Sequence, residues 1–195
     1  MQRMLFRIGV VIMGLKADCW IDTECQNGMI TPYSPYQKRQ GIISYGTTSY
    51  GYDMRISNTF KVINHESVVD PKNISEDDYN VIVENDVFVI PRHTSVLAMS
   101  MEYFKMPPDV LGVVIGKSTY ARCHLIVNCT PLEPSWQGYL TIELTNPTSN
   151  PIKIYVGEGI AQVIFLKGDE QCLINYSNKN GKYQNQVGVT IPIVE

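Results

Sequence analysis

The sequence is poor in charge and in histidine, has no closely paired cysteines and holds no long apolar run. Each shortage removes a class of function. Only 18% of the 195 residues are charged and the formal net charge is −3, so no general field draws a polyanion or an anionic membrane to this surface. An anionic ligand must meet a local cluster of cations, which favours a small phosphate compound over nucleic acid. His65, His93 and His124 are scattered, and Cys19, Cys25, Cys123, Cys129 and Cys172 form no CxxC pair. The common zinc and dithiol spacings are therefore missing, as is the His-x-Glu…Pro-Cys-x-x-Cys arrangement of zinc nucleobase deaminases. No zinc is expected, and an odd number of thiols suits a reducing, cytoplasmic setting.

The apolar stretch at residues 8–15, preceded by Arg3 and Arg7, falls short of the ~20 residues that span a bilayer. Lys16 and Asp18 do not suit a small-residue cleavage site, so no membrane attachment is expected. Met13-Gly14-Leu15-Lys16 reads equally well as the start of translation, with residues 1–12 as an N-terminal extension. The remainder, residues 13–195, has the length of one domain around one core, without internal repeat or low-complexity tract.

The chain is rich instead in turn formers and β formers. Fourteen Gly, 11 Pro and 12 Tyr against 44% hydrophobic residues indicate a mainly β, turn-rich protein. Residues 17–28 read as a short N-terminal amphipathic helix, with Trp20 and Ile21 on one face and Gly28 as its stop. Beyond Ile30, strand-length runs at 81–83, 87–90, 95–99, 110–115, 124–129, 138–144, 152–156 and 160–166 alternate with turn residues. That rhythm suggests a sandwich, jelly roll or distorted barrel. In one run Thr141, Glu143 and Thr145 alternate with Leu140, Ile142 and Leu144, so Glu143 lies on a polar strand face. The tail from Asn175 is polar and Gly-broken, then apolar from Val187; it reads either as a flap over about 176–195 that closes on a ligand or as a surface loop.

Gly116-Lys117-Ser118-Thr119 comes directly after an apolar run, so a strand delivers a glycine turn, an ammonium and two hydroxyls to one place. It is not a P-loop, because the first glycine of that motif would fall on Leu111. The longer stretch Gly116-Lys117-Ser118-Thr119-Tyr120-Ala121-Arg122-Cys123, then Ile126-Val127-Asn128, Thr130-Pro131-Leu132-Glu133-Pro134, Trp136, Gly138 and Thr141-Ile142-Glu143, resembles the dCTP deaminases of the dUTPase-like superfamily in their shorter bacterial form. Ser49-Tyr50-Gly51-Tyr52-Asp53, Glu102-Tyr103-Phe104, Glu158-Gly159-Ile160-Ala161-Gln162 and Gly181-Lys182-Tyr183 extend the resemblance over nearly all of 13–193.

The resemblance implies a homotrimer of dUTPase-like subunits with active sites shared between chains. It implies hydrolysis of dCTP to dUTP and ammonia without zinc, as a source of dUTP for dUMP and dTTP synthesis, with Mg2+ carried by the triphosphate. By the same resemblance Glu143 moves the protons, Ser118 orients the water or the reacting edge of the base, and Arg122 supplies a fixed cation. Lys117 and Lys182 are then phosphate contacts. Backbone groups of Lys117, Ser118, Thr119, Tyr120, Ala121 and Arg122, and of Thr141, Ile142 and Glu143, complete the pocket, with Gln162, Tyr176 and Gln186 at nucleotide-binding positions.

There are departures. His124 and Cys129 stand where relatives usually carry Gly and Val, and Pro131 matches an arginine of the longer form, whose role does not transfer. His124 is read as a structural residue beside a neighbouring strand in preference to an added acid or base. Glu133 occupies the place of a dUTPase water-activating aspartate, which raises the alternative of a bifunctional enzyme that carries dUTP on to dUMP and pyrophosphate; a different alternative is a non-catalytic nucleotide-binding homologue on the same fold.

Overall fold

Helix α1 spans Asp18–Gln26 and turns Ile21 and Cys25 into the core, while Trp20 is only partly buried, its ring 6.1 Å from that of Phe165. It ends as expected at Gly28. The Met29 N–H reaches the Glu24 carbonyl at 3.1 Å and the Gly28 N–H that of Cys25 at 3.0 Å, a Schellman pattern in which the residue at the turn needs positive φ; Gly28 has +88°. The structure, a computed structural model, describes residues 14–194, so the extension expected over 1–12 lies outside the described residues.

Twelve strands succeed one another among the described residues: β1 Gly14–Leu15, β2 Ile30–Thr31, β3 Gly46–Thr48, β4 Gly51–Ile63, β5 Tyr79–Val83, β6 Val87–Ile90, β7 Thr94–Lys105, β8 Val110–Gly116, β9 Ile126–Asn128, β10 Gln137–Asn146, β11 Ile152–Tyr155 and β12 Gly159–Lys167. One turn of helix, α2 Ser118–Ala121, interrupts them after β8. The main sheet runs β1-β12-β4-β7-β10-β9, with β8 on β12, β3 and β5 on β4, and β2 on β7. All its pairings are antiparallel. It curls into a distorted barrel, and the β6–β11 pair forms a second, two-stranded sheet. Phe88 of β6 stacks on Phe60 of β4 with ring centres 4.1 Å apart, which joins the two sheets through the core.

The alternation read in the sequence sets β10: Leu140, Ile142 and Leu144 are buried, and Thr141, Glu143 and Thr145 face the other way. Strand β4 carried no such signal. It is buried on both faces over most of its length, and its polar members Asp53, Arg55, Ser57 and Lys61 break the apolar run that periodicity detects. Those polar groups are compensated. Arg55 Nε lies 2.7 Å from Glu102 Oε1 and its N–H donates to Oε2 at 2.9 Å. No buried side-chain nitrogen or oxygen among the described residues lacks a hydrogen-bond partner.

Two expected strands are shorter than read, 152–156 by one residue and 124–129 by three. The stretch at 124–129 is strand only over Ile126–Asn128, because His124 is at φ +64° in the turn that ends α2. The Leu125 N–H reaches the Tyr120 carbonyl at 3.1 Å and the His124 N–H that of Ala121 at 3.0 Å. This is the same helix stop as at Gly28, built here with a residue that has a side chain.

Candidate active site

Strand β8 delivers Gly116 beside Val127 of β9, so closely that a Cβ on Gly116 would lie 3.1 Å from that of Val127. The chain then turns through Lys117, whose N–H is tied to the Ile160 carbonyl at 3.0 Å, into α2. Ser118, Thr119, Ala121 and Arg122 are partly or fully exposed on that turn. The Ser118 hydroxyl has no hydrogen-bond partner among the described residues, and Arg122 folds one guanidinium N–H back to the Ser118 carbonyl at 2.9 Å. Tyr120 differs: its ring is in the core and its oxygen accepts the Tyr155 N–H at 3.1 Å, and burial pushes its pKa up to about 12. Only its backbone remains for a ligand. The same holds for Ile142, whose side chain is wholly buried.

Glu143 projects from the polar face of β10 directly opposite Asn128 of β9. Asn128 Nδ2 donates to Oε2 at 2.8 Å and Thr145 Oγ1 donates to Oε1 at 2.8 Å. Two donors hold the carboxylate while the residue stays partly exposed. Asn128 and Thr145 had no assigned role in the sequence. Thr145 was visible as a member of the polar face, whereas Asn128 becomes a neighbour of Glu143 only through strand register.

Other expected contacts are occupied from within the chain. Lys117 Nζ is paired with the carboxylate of Asp53, with both side chains largely buried, and so points inward. Gln162 Nε2 donates to Thr48 Oγ1 at 3.0 Å and to Asp53 Oδ1 at 3.2 Å. Lys182 Nζ donates to the Ile193 carbonyl at 2.6 Å. Glu133 is paired with Lys179 at 2.5 Å.

The tail lies on β10. Tyr139 N–H donates to the Gln186 carbonyl at 3.0 Å, Asn185 N–H to that of Gln137 at 2.8 Å, and Thr190 N–H to Thr141 Oγ1 at 3.1 Å. The oxygen of Tyr176 accepts the Tyr183 N–H at 3.1 Å. The tail thus reaches the polar face two residues from Glu143.

No hydrogen bond among the described residues links Ser118 or Arg122 to Glu143. Two open clefts, one between α2 and β11 near His124 and Lys153 and one beside Gln37 and Arg39, include none of the three. No three His, Cys, Asp or Glu side chains among the described residues converge as metal donors. Chemically, β10 offers an oriented, partly exposed carboxylate, and the α2 turn offers a hydroxyl and a guanidinium.

A profile of the family described as dCTP deaminase-like matches residues 18–168. The chain is similar to the dCTP deaminase of Acidovorax sp. strain JS42, 54% identical over 187 residues, covering 92% of this chain and 99% of the relative. It is similar to that of Acidobacterium capsulatum, 50% identical over 182 residues and covering 92% and 99%, and to that of Campylobacter jejuni strain RM1221, 51% identical over 183 residues and covering 92% and 98%. Among solved structures, a 2'-deoxycytidine 5'-triphosphate deaminase from Agrobacterium tumefaciens superposes with a TM-score of 0.62 at 16% identity, over 80% of this chain and 48% of that one. That likeness concerns the fold.

Proposed function

The chain belongs to the dCTP deaminase family, and on that premise we propose that it hydrolyses dCTP to dUTP and ammonia with Glu143 as the group that moves the protons. The observation that carries this reading is the Glu143 carboxylate itself, held between Asn128 and Thr145 yet open on the polar face of β10.

The reaction adds water to C4 of cytosine and expels the amine. As the water oxygen bonds to C4, Glu143 accepts its proton and passes it to the ring nitrogen N3, giving a tetrahedral carbon that bears hydroxyl and amine. A proton from that hydroxyl then reaches the amine through the same carboxylate, the C–N bond breaks, ammonia leaves, and the C4 carbonyl of uracil forms. N3 keeps its proton and Glu143 ends as it began, as a carboxylate. One group serves as base and then acid, which suits a carboxylate fixed by two donors. Ser118 both donates and accepts and orients the water or the amide edge; Arg122 adds a fixed positive charge beside it.

Magnesium would enter this scheme with the substrate, offsetting the charge of the triphosphate, and no carboxylate cluster among the described residues is assigned to it. A homotrimer brings a neighbouring chain against the open face. What supports this is that no hydrogen bond among the described residues joins Ser118 or Arg122 to Glu143, together with Ile115 and Ile126, large apolar side chains about half exposed on β8 and β9. The setting is cytoplasmic, where dCTP and its products are used. The reaction is read as ending at dUTP, with Glu133 in an exposed ion pair with Lys179.

The test is incubation of purified protein with dCTP and magnesium, with an ammonia assay and separation of nucleotides. Equal amounts of ammonia and dUTP are expected. Binding of dCTP without ammonia overturns the enzyme reading, and dUMP with pyrophosphate overturns the assignment of dUTP as the last product.

A further inference from the structure

Asp53 takes no part in the proton transfers, yet it gathers side chains from three other parts of the chain. It is only 3% exposed. Strand register places it between Gly46 of β3 and Gln162 of β12, and Gln162 in turn faces Ile115 of β8, two residues before Lys117. Residues directly opposite one another in antiparallel strands share a face, so Asp53, Gln162 and the approach to Lys117 form one row across four strands. The carboxylate receives Lys117 Nζ, Gln162 Nε2 at 3.2 Å and Gln37 Nε2 at 2.8 Å. Room for the lysine stem comes from Gly159, where a Cβ would lie 3.3 Å from Lys117 Cδ and 2.0 Å from the Ser44 carbonyl oxygen.

We propose that Asp53 is a positioning residue for nucleotide binding, acting from behind the site by fixing the side chains of Lys117 and Gln162. The proposal rests on the reading of those two residues as lining the nucleotide site: with the Lys117 ammonium and the Gln162 Nε2 engaged, the Gln162 Oε1 and the turn that Lys117 opens are left for the nucleotide. Burying a carboxylate and an ammonium together gains little net stability, because both lose hydration; what such a pair does supply is one arrangement of its members. Gln37 completes it from the other side: Arg39 Nε donates to Gln37 Oε1 at 2.6 Å, which leaves the amide nitrogen aimed at Asp53. The backbone of the α2 turn has its own tie through the Lys117 N–H, and Glu143 has its own two donors. Loss of the Asp53 charge therefore loosens Lys117 and Gln162 without moving the catalytic carboxylate.

The experiment is Asp53→Asn in the full-length protein, read by steady-state kinetics with dCTP and, in a Glu143→Gln background where dCTP stays intact, by calorimetric Kd. KM and Kd are expected to rise about tenfold or more while kcat stays within about threefold, since one buried charge-assisted contact is worth about that factor. A fall in melting temperature or active fraction with KM and Kd unchanged marks a merely structural pair and overturns the proposal. Gln37→Ala, which leaves no buried charge unpaired, serves if Asp53→Asn does not fold: a rise in Kd of about two- to fivefold supports the proposal, and an unchanged Kd overturns it. Wild-type ammonia release in the same assay judges the proposed function separately. If it is absent, that reading falls, while the Kd ratio still judges Asp53.

Discussion

The polar face of β10 and the polar interior around β4 both hold carboxylates, and they treat them in opposite ways. On β10, Glu143 is steadied by two neutral donors and left open. Around β4, Asp53 and Glu102 are closed in, each against a cation, Lys117 and Arg55. A carboxylate that must exchange protons with water needs access and cannot be locked to a lysine or arginine; one that must hold geometry needs the reverse. Accessibility and partner charge, more than residue type, thus separate the reacting acid from the supporting ones.

The contrast is most exposed to test at Glu143. Glu143→Gln keeps both hydrogen-bond partners in reach but cannot accept a proton, so kcat is expected to fall on the order of 10²–10⁴-fold. Ammonia release measures the loss, and an unchanged thermal melt shows that the fold survives. Normal turnover in this variant would remove Glu143 from the chemistry.

Next comes the closed side. Arg55→Leu leaves Glu102 buried without its cation and is expected to cost about 3–5 kcal/mol at neutral pH, read by urea unfolding. Burial pushes the Glu102 carboxyl above its ordinary value, and Arg55 pulls it part of the way back. Because the folded pKa lies above the unfolded one, this group's contribution to stability is fullest below the unfolded value and is lost as pH rises through the folded value. The deficit of Arg55→Leu should accordingly narrow as the pH is lowered from about 7 toward about 5, where carboxyl groups begin to protonate. A deficit that widens on acidification would contradict the assignment.

A smaller effect probes how the tail meets the open face. Gly138 has φ +150°, and a Cβ there would approach the Gln186 nitrogen to 2.8 Å. Gly138→Ala should lift residues 185–190 from β10 at a cost of about 1–3 kcal/mol in strain, seen as faster limited proteolysis of the tail. Unchanged cleavage would show that the tail yields without leaving. The smallest change concerns His124, whose left-handed conformation ends α2. His124→Gly should stabilise the protein by about 1 kcal/mol and leave turnover unaltered, whereas a clear loss of kcat would return the imidazole to the reaction.

Local features were readable in the chain and non-local ones were not. The inward set Leu140, Ile142 and Leu144, the polar placement of Glu143, and Gly28 as a helix stop arise from spacing along a few residues. His124 hid the second helix stop because the same geometry was filled by a residue that does not advertise it. Strand β4 escaped detection because burial on both faces with interspersed Asp53, Arg55 and Lys61 produces no period of two. Lys117 was visible as a cation in an anion-binding turn, but the direction of its ammonium depends on Asp53, 64 positions away in the chain.

The order of residues alone was enough to establish that a mainly β chain presents a strand, a glycine turn, an ammonium and two hydroxyls at residues 110–119, and that Glu143 stands on a polar face, since periodicity and turn chemistry act over neighbouring residues. Which partner each charge meets was settled only by the folded arrangement. Register across β3, β4, β12 and β8 brings Asp53 to Lys117 and Gln162, and register between β9 and β10 brings Asn128 to Glu143. A shift of one residue in either pairing would turn those side chains to the opposite face, and the division between a closed supporting carboxylate and an open reacting one would be lost.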